Sequence, residues 1–313
     1  MSVRTLFWST AESRLRSGWR LILHFLLLPT TLLLFSLPGA LLLVLWPLTM
    51  LPSEESQILL AEILTIVAFT FATWLARRLL DRRSFRSLGF ELNRHVLADL
   101  AFGFVVPGIL MGGIYVFESA LGWLHFEGWA WQASPAEVVV RGLAVYLLVF
   151  VLTGYGEELI SRGYQLQNLA TGLNLPLALF ISSAIFAALH LANPGASWAS
   201  LLGILGAGYF LAYAWVRTRQ LWLSIGLHIG WNVFEGVVFG FPVSGLNVFR
   251  LIQHQLAGPA LVTGGDFGPE GGLVVLPALV VGALLVSLYT KGRHLLVPDD
   301  AGSPGGSALP YQP

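Results

Sequence analysis

Residues 154–167 read GYGEELISRGYQLQ and follow directly on the apolar run VYLLVFVLT at 145–153. An uncharged hydrophobic stretch thus ends on two adjacent carboxylates, Glu157 and Glu158, and then Arg162. Ionisable groups inside an apolar helix are costly, and they mark function unless they serve as a structural ion pair. Residues four apart share a helix face, so Glu158 and Arg162 can pair across one turn. Glu157 points about 100° away and lacks that partner. Different surroundings separate the proton affinities of neighbouring carboxylates, which makes Glu157 the better general base. A Glu–Arg pair at a helix end is just as often a plain structural bridge, so other residues must decide.

The composition is that of a membrane protein. Of 313 residues, 56% are hydrophobic and 11% charged, with mean hydropathy +0.74, against about 25% charged in a soluble domain. The absence of cysteine excludes disulfides, thiolate metal ligands and a cysteine nucleophile. Zero net charge gives no sign of a nucleic-acid partner. Runs long enough to cross a bilayer, roughly 20 residues, fall at about 21–50, 57–76, 97–122, 138–160, 175–192, 198–216, 220–240 and 272–290. The expected fold is therefore all-α and polytopic, with about eight transmembrane helices. The first run carries Pro29, Pro38 and Pro47, which predicts a kink or an interfacial piece.

Basic residues set the expected orientation. Arg4, Arg14, Arg16, Arg20, Arg77, Arg78, Arg82, Arg83, Arg86, Arg94, Arg217, Arg219, Lys291 and Arg293 fall on one side if eight spans alternate. Glu54, Glu55, Glu127, Glu137, Asp266 and Glu270 fall on the other, with Arg141 and Arg250 as the basic exceptions. The positive-inside rule then puts both termini in the cytoplasm. The basic N-terminus lacks a cleavable signal pattern, which fits a bacterial inner membrane.

Polar residues within the spans concentrate in the second half. His190 lies on span five and His228 on span seven, with Asn232 one turn further. Singly, each histidine reads as a packing residue and Asn232 as interhelical glue. Their heights coincide, however. Glu157 and His190 are respectively about 22 Å and 25 Å along their helices from the polar turn at 171–174. His228 enters from the cytoplasmic end of span seven and meets them if the hairpin of spans four and five projects beyond the bilayer by about one or two turns. Gly226 and Gly230 flank His228 with small-residue spacing that permits close helix packing.

EELISRG (157–163), FAALH (186–190) and HIGWN (228–232) together resemble the CAAX-protease and bacteriocin-processing family, CPBP or Abi, of intramembrane endopeptidases. The family pattern is Glu–Glu–x3–Arg, Phe–x3–His and His–x3–Asn/Asp on successive helices. Each motif is weak alone, and the ordered set is strong. The resemblance covers about 135–240, with spans four to seven enclosing the site, and the family also has about eight helices. It implies that Glu157 activates water with His190, that Glu158 and Arg162 organise the helix end, and that His228 and Asn232 stabilise the oxyanion. Glu157, His190 and His228 are also a possible ligand set for one catalytic zinc, and a metal-free water fits the same set.

The expected organisation is N-terminal helices with basic cytoplasmic segments (1–134), a catalytic helical core (135–240), an external loop and last helix (241–295), and a disordered Pro/Gly/Ser-rich tail (296–313). The loop holds a short amphipathic piece around Val248–Leu256, with Arg250 and His254 read as interfacial. Rival intramembrane proteases need motifs the chain lacks, such as His-Glu-x-x-His or paired intramembrane aspartates. GASW at 195–198 mimics part of a rhomboid motif, but a turn explains it. The expected activity is hydrolysis of membrane-associated peptides or proteins, with prenylated CAAX proteins the founding substrate class of the family it resembles. The alternative is a non-catalytic scaffold or bacteriocin-immunity protein on the same fold. A transporter would spread polar residues through both leaflets, and only Glu62, Glu118 and Glu235 point that way.

Overall fold

A computed structural model describes residues 6–10, 12–45 and 53–293. The candidate kink residue Pro47 and the tail 296–313 lie outside these residues. Pro29 and Pro38 sit inside one uninterrupted helix, α1, Ser17–Leu45. The other long elements are α2 (Glu54–Leu79), α3 (Val96–Ala120), α4 (Ala136–Glu158) running through a π-turn at Leu159–Gln165 into α5 (Leu166–Gly172), α6 (Leu175–Leu189), α7 (Trp198–Thr218), α8 (Trp222–Asn232) and α9 (Val275–Tyr289).

Among the described residues, six helical stretches are long and apolar enough to cross a membrane: 17–39, 54–79, 96–120, 136–172, 175–192 and 198–218. The expectation of about eight is met by length in these six only. The seventh run breaks into α8 and a π-turn at Val233–Val238, and α9 is a shorter apolar helix. The chain forms an integral membrane protein whose lipid-facing residues stay apolar, as Leu147, Phe180 and Leu284 illustrate.

The helices alternate in direction, and a set of contacts ties one end together. Arg20 bonds Asp81 just past α2 and Thr171 at the α5 end. The Leu221 amide bonds the Gly89 carbonyl, Arg217 bonds Thr290, and Arg293 pairs with Asp99 at the start of α3. This is the arginine-rich end. Several of its arginines are not solvated anchors. Arg14 donates to the Asp81 carbonyl at 2.7 Å, while Arg20 and Arg77 pair with the Asp81 carboxylate at 2.9 and 2.8 Å, all buried.

The opposite end is not wholly helical. There β3 (Leu124–Trp129) pairs antiparallel with β4 (Ile252–Leu256); a smaller hairpin of β1 (Trp8–Ser9) and β2 (Arg14–Leu15) lies at the arginine-rich end, where Arg14 meets Asp81. The amphipathic piece expected near Val248–Leu256 is thus an edge-paired strand. His254 is buried against Tyr115 and Phe241 rather than interfacial. Burial first, then Arg250, pushes its imidazole down to about 4.

Glycines bring α8 against α3. A Cβ on Gly226 would stand 2.6 Å from the Leu100 carbonyl oxygen, one on Gly103 would be 2.7 Å from that of Leu223, and one on Gly230 would collide with the Phe104 carbonyl. The small-residue face read from the sequence therefore allows backbone-to-backbone packing, and it fixes the rotation of the helix that carries His228.

Candidate active site

The α4–α5 rod and α6 form an antiparallel hairpin with its turn at residues 173–174. Gly163 lies against Leu221, the residue that precedes α8. Nine further residues reach Gly172, so the hairpin extends about 13 Å beyond the start of α8. This overhang lets Glu157, His190 and His228 share a level although they start from different heights.

The adjacent glutamates are separated as the helix period requires. Glu158 is fully buried, and its Oε1 accepts from Arg162 Nη1 at 2.7 Å and meets His228 Nδ1 at 2.9 Å. An ionised carboxylate only accepts hydrogen bonds, so His228 Nδ1 carries the hydrogen and Nε2 is left for other work. Arg162 donates a second bond to the Gly208 carbonyl on α7 at 2.9 Å and lies 4.4 Å over the Phe186 ring. These contacts satisfy a buried guanidinium with a carboxylate, a carbonyl and an aromatic face.

Glu157 keeps 37% of its side chain exposed, and its Oε2 makes no hydrogen bond. The nearest basic atom is His228 Nε2 at 3.7 Å. That gap exceeds a direct N–H···O bond, and one water can bridge it.

His190 ends the α6 rod in a 3-10 turn, His190–Ala192. Its Nδ1 bonds the Phe186 carbonyl at 2.8 Å. A carbonyl only accepts, so Nδ1 donates and the lone pair stays on Nε2. The Phe186 ring stands 4.8 Å from the His190 ring and 6.1 Å from that of His228. Phe186 thus sits between the two histidines and Arg162, which gives a physical role to the first residue of the Phe–x3–His pattern. Asn232 is buried one turn beyond His228 on α8.

The structure therefore gathers Glu158, Arg162 and His228 in one bonded unit, with Glu157 beside it. It brings His228, rather than His190, closest to Glu157. Among the described residues, no three His, Asp or Glu side chains are gathered so as to hold one metal ion. Glu157, His190 and His228 are accordingly not drawn together as the three-ligand set that a catalytic zinc needs.

Both π-turns follow motif residues directly: 159–165 after Glu158, and 233–238 after Asn232. Single π-turns recur at functional sites, and each here shifts the helix face just past the site. Residues that the motifs did not indicate come from the loop after α8. Asn193 Nδ2 donates to the Ser244 carbonyl at 3.0 Å, and Phe267 packs against Phe186 and Ala187.

Residues 139–234 match the family described as type II CAAX prenyl endopeptidase Rce1-like. The uncharacterized protein YyaK of Bacillus subtilis (strain 168) is 29% identical over 179 residues, which cover 55% of this chain and 58% of that protein. The matched region is thus under two thirds of the relative's length. No solved structure matches the chain. The matched segment carries Glu157, Glu158, Arg162, His190, His228 and Asn232, and residues 139–234 are an Rce1-like domain of the type II CAAX prenyl endopeptidase family.

Proposed function

We propose that the protein is an intramembrane endopeptidase that hydrolyses membrane-associated, CAAX-type substrates with water activated by Glu157. The observation that carries this reading is the division of labour between adjacent glutamates. Glu158 is bonded to Arg162 and His228, whereas Glu157 is partly exposed and unbonded. One carboxylate is structural and the other is free to take a proton.

In this reading a water lies between Glu157 and the histidines. The His190 Nε2 lone pair accepts one of its hydrogens and orients it. Glu157 takes the other proton as the water oxygen bonds to the scissile carbonyl carbon. His228, as the imidazolium, donates Nδ1–H to Glu158 and Nε2–H to the developing oxyanion, and Asn232 faces the same oxygen. Glu157 then returns its proton to the amine nitrogen as the C–N bond breaks, leaving a carboxylic acid and an amine, and the acid's proton passes on to the amine to give a carboxylate and an ammonium group. A carboxylate that orients an imidazole through Nδ1 is the logic of the serine-protease triad, here with water as nucleophile. Losing one oxyanion donor typically costs about 10²–10³ in rate. His228→Ala and Asn232→Ala are expected to lower kcat by that order in a cleavage assay without abolishing it.

The test is cleavage of prenylated and unprenylated membrane-presented peptides by the purified protein, with and without a chelator. The expected result is cleavage that survives chelation. Activity lost on chelation and restored by zinc would overturn the metal-free reading. A partner that co-purifies with the protein, without any cleavage, would favour the scaffold reading.

We also propose a bacterial inner-membrane location with both termini in the cytoplasm. The contacts that gather the arginine-rich ends at one pole support it through the positive-inside rule. Reporter fusions are expected to place the C-terminus inside and the 241–272 loop outside. An external C-terminus would reverse the orientation.

A further inference from the structure

We propose that Glu270, in the loop beyond the Rce1-like domain, is a positioning residue for His190 that acts through Ser244 and Asn193. The inference rests on the protease reading for its kinetic consequence, but its structural consequence is independent of substrate.

Glu270 is buried at 5% exposure. Its Oε2 accepts from the Ser244 amide at 3.1 Å and the Ser244 hydroxyl at 2.5 Å. Ser244 has φ 47°, left-handed backbone for a residue with a side chain. Such a conformation is strained for a residue with a Cβ and persists only where its surroundings enforce it. Two bonds to one buried carboxylate supply that enforcement. Gly245, at φ 83°, follows, donates to the Phe267 carbonyl at 2.8 Å and leaves no room for a Cβ beside the Pro194 carbonyl. The tip of the turn is thereby pressed onto the chain just after His190.

The relay then reaches the histidine. The Ser244 carbonyl accepts from Asn193 Nδ2 at 3.0 Å, and the Asn193 amide bonds the His190 carbonyl at 3.1 Å. His190 needs such an anchor because it lies past the end of α6 in a short 3-10 turn. The relay adds to the bond to the Phe186 carbonyl, the His190 amide's bond back into α6 and the packing of the turn against α6 and α7. Burial pushes the Glu270 carboxyl above the usual carboxylate range, and the Ser244 hydrogen bond and the nearby His190 and His228 pull it back. The group is therefore within electrostatic reach of both histidines. Glu235 is a further buried carboxylate neighbouring Glu270, beside the Gly268 backbone.

The bland alternative is a staple that only holds the loop. Two measurements on the full-length protein separate the readings: diethylpyrocarbonate labelling of His190 located by mass spectrometry, and kcat and KM. The variants are Glu270→Ala, Asn193→Ala and Glu270→Gln, each with its melting temperature. Glu270→Ala and Asn193→Ala are expected to raise the labelling rate of His190 several-fold, with that of His228 unchanged. They should lower kcat by about 10–10²-fold, the scale of a small misplacement in a catalytic site, with KM little changed. Glu270→Gln keeps an acceptor oxygen for Ser244 and is expected to restore both readouts. Wild-type labelling in the folded fraction of Glu270→Ala would reduce Glu270 to a staple and overturn the proposal. Failure of glutamine to rescue would assign the effect to charge and overturn the relay. Labelling requires no substrate, so a wild-type protein that cleaves nothing sinks the protease reading while the relay is still judged by its own measurement.

Discussion

Glu157→Gln is expected to abolish peptide cleavage while leaving melting temperature and expression unchanged. The amide has nearly the shape of the carboxylate but takes no proton from water. Glu157 Oε2 bonds to nothing in the fold and its side chain is 37% exposed, so little packing or pairing is lost. General acid–base catalysis contributes about 10²–10⁴-fold. The upper end applies here, because Glu157 both accepts the water proton and returns it to the leaving amine. Its neighbour is no substitute, since Glu158 is fully buried and already shared between Arg162 and His228.

Glu158→Gln is expected to fail differently, losing stability and activity together. Arg162 is buried within the helical bundle at 1% exposure. Removing one partner of a buried ion pair costs about 3–5 kcal/mol, because the remaining charge is left uncompensated. The same change weakens the hold on His228 Nδ1, so the folded fraction should also turn over slowly. The double variant Glu158→Gln, Arg162→Met removes both charges. It is expected to regain much of the melting temperature, since apolar replacement of a whole buried pair is often neutral. It should not regain activity, because His228 remains without its carboxylate. Recovery of both together would mean that Glu158 matters only as the partner of Arg162.

The contrast between these adjacent residues was legible in the sequence, because it follows from the 100° step of a helix. The shared level of Glu157 and His190 was legible for the same reason: rise per residue converts sequence distance into height. Rotation about the helix axis was not. Height put His190 on a level with Glu157 but could not say which histidine turns towards it; the glycine packing of α8 on α3 brings His228 Nε2 to 3.7 Å. The loop after α8 was opaque. IQHQL at 252–256 alternates over too few residues to distinguish strand from helix, and its partner LHFEGW lies at 124–129. The Glu270–Ser244–Asn193 relay joins residues that no local pattern connects. At the arginine-rich end, the charge bias was legible, but the convergence of Arg14, Arg20 and Arg77 on buried Asp81 depends on tertiary packing. Hydropathy located the last two apolar runs but not their breaks, because it does not register where a helix ends or changes to a π-turn.

The central claim is that Glu157 is the proton acceptor for an attacking water. Its most direct test compares purified wild-type protein and Glu157→Gln on one membrane-presented peptide library, with new N-termini read by mass spectrometry and both proteins matched in melting temperature. The account predicts new N-termini from the wild type and none from the variant. Equal cleavage by the two proteins would contradict it.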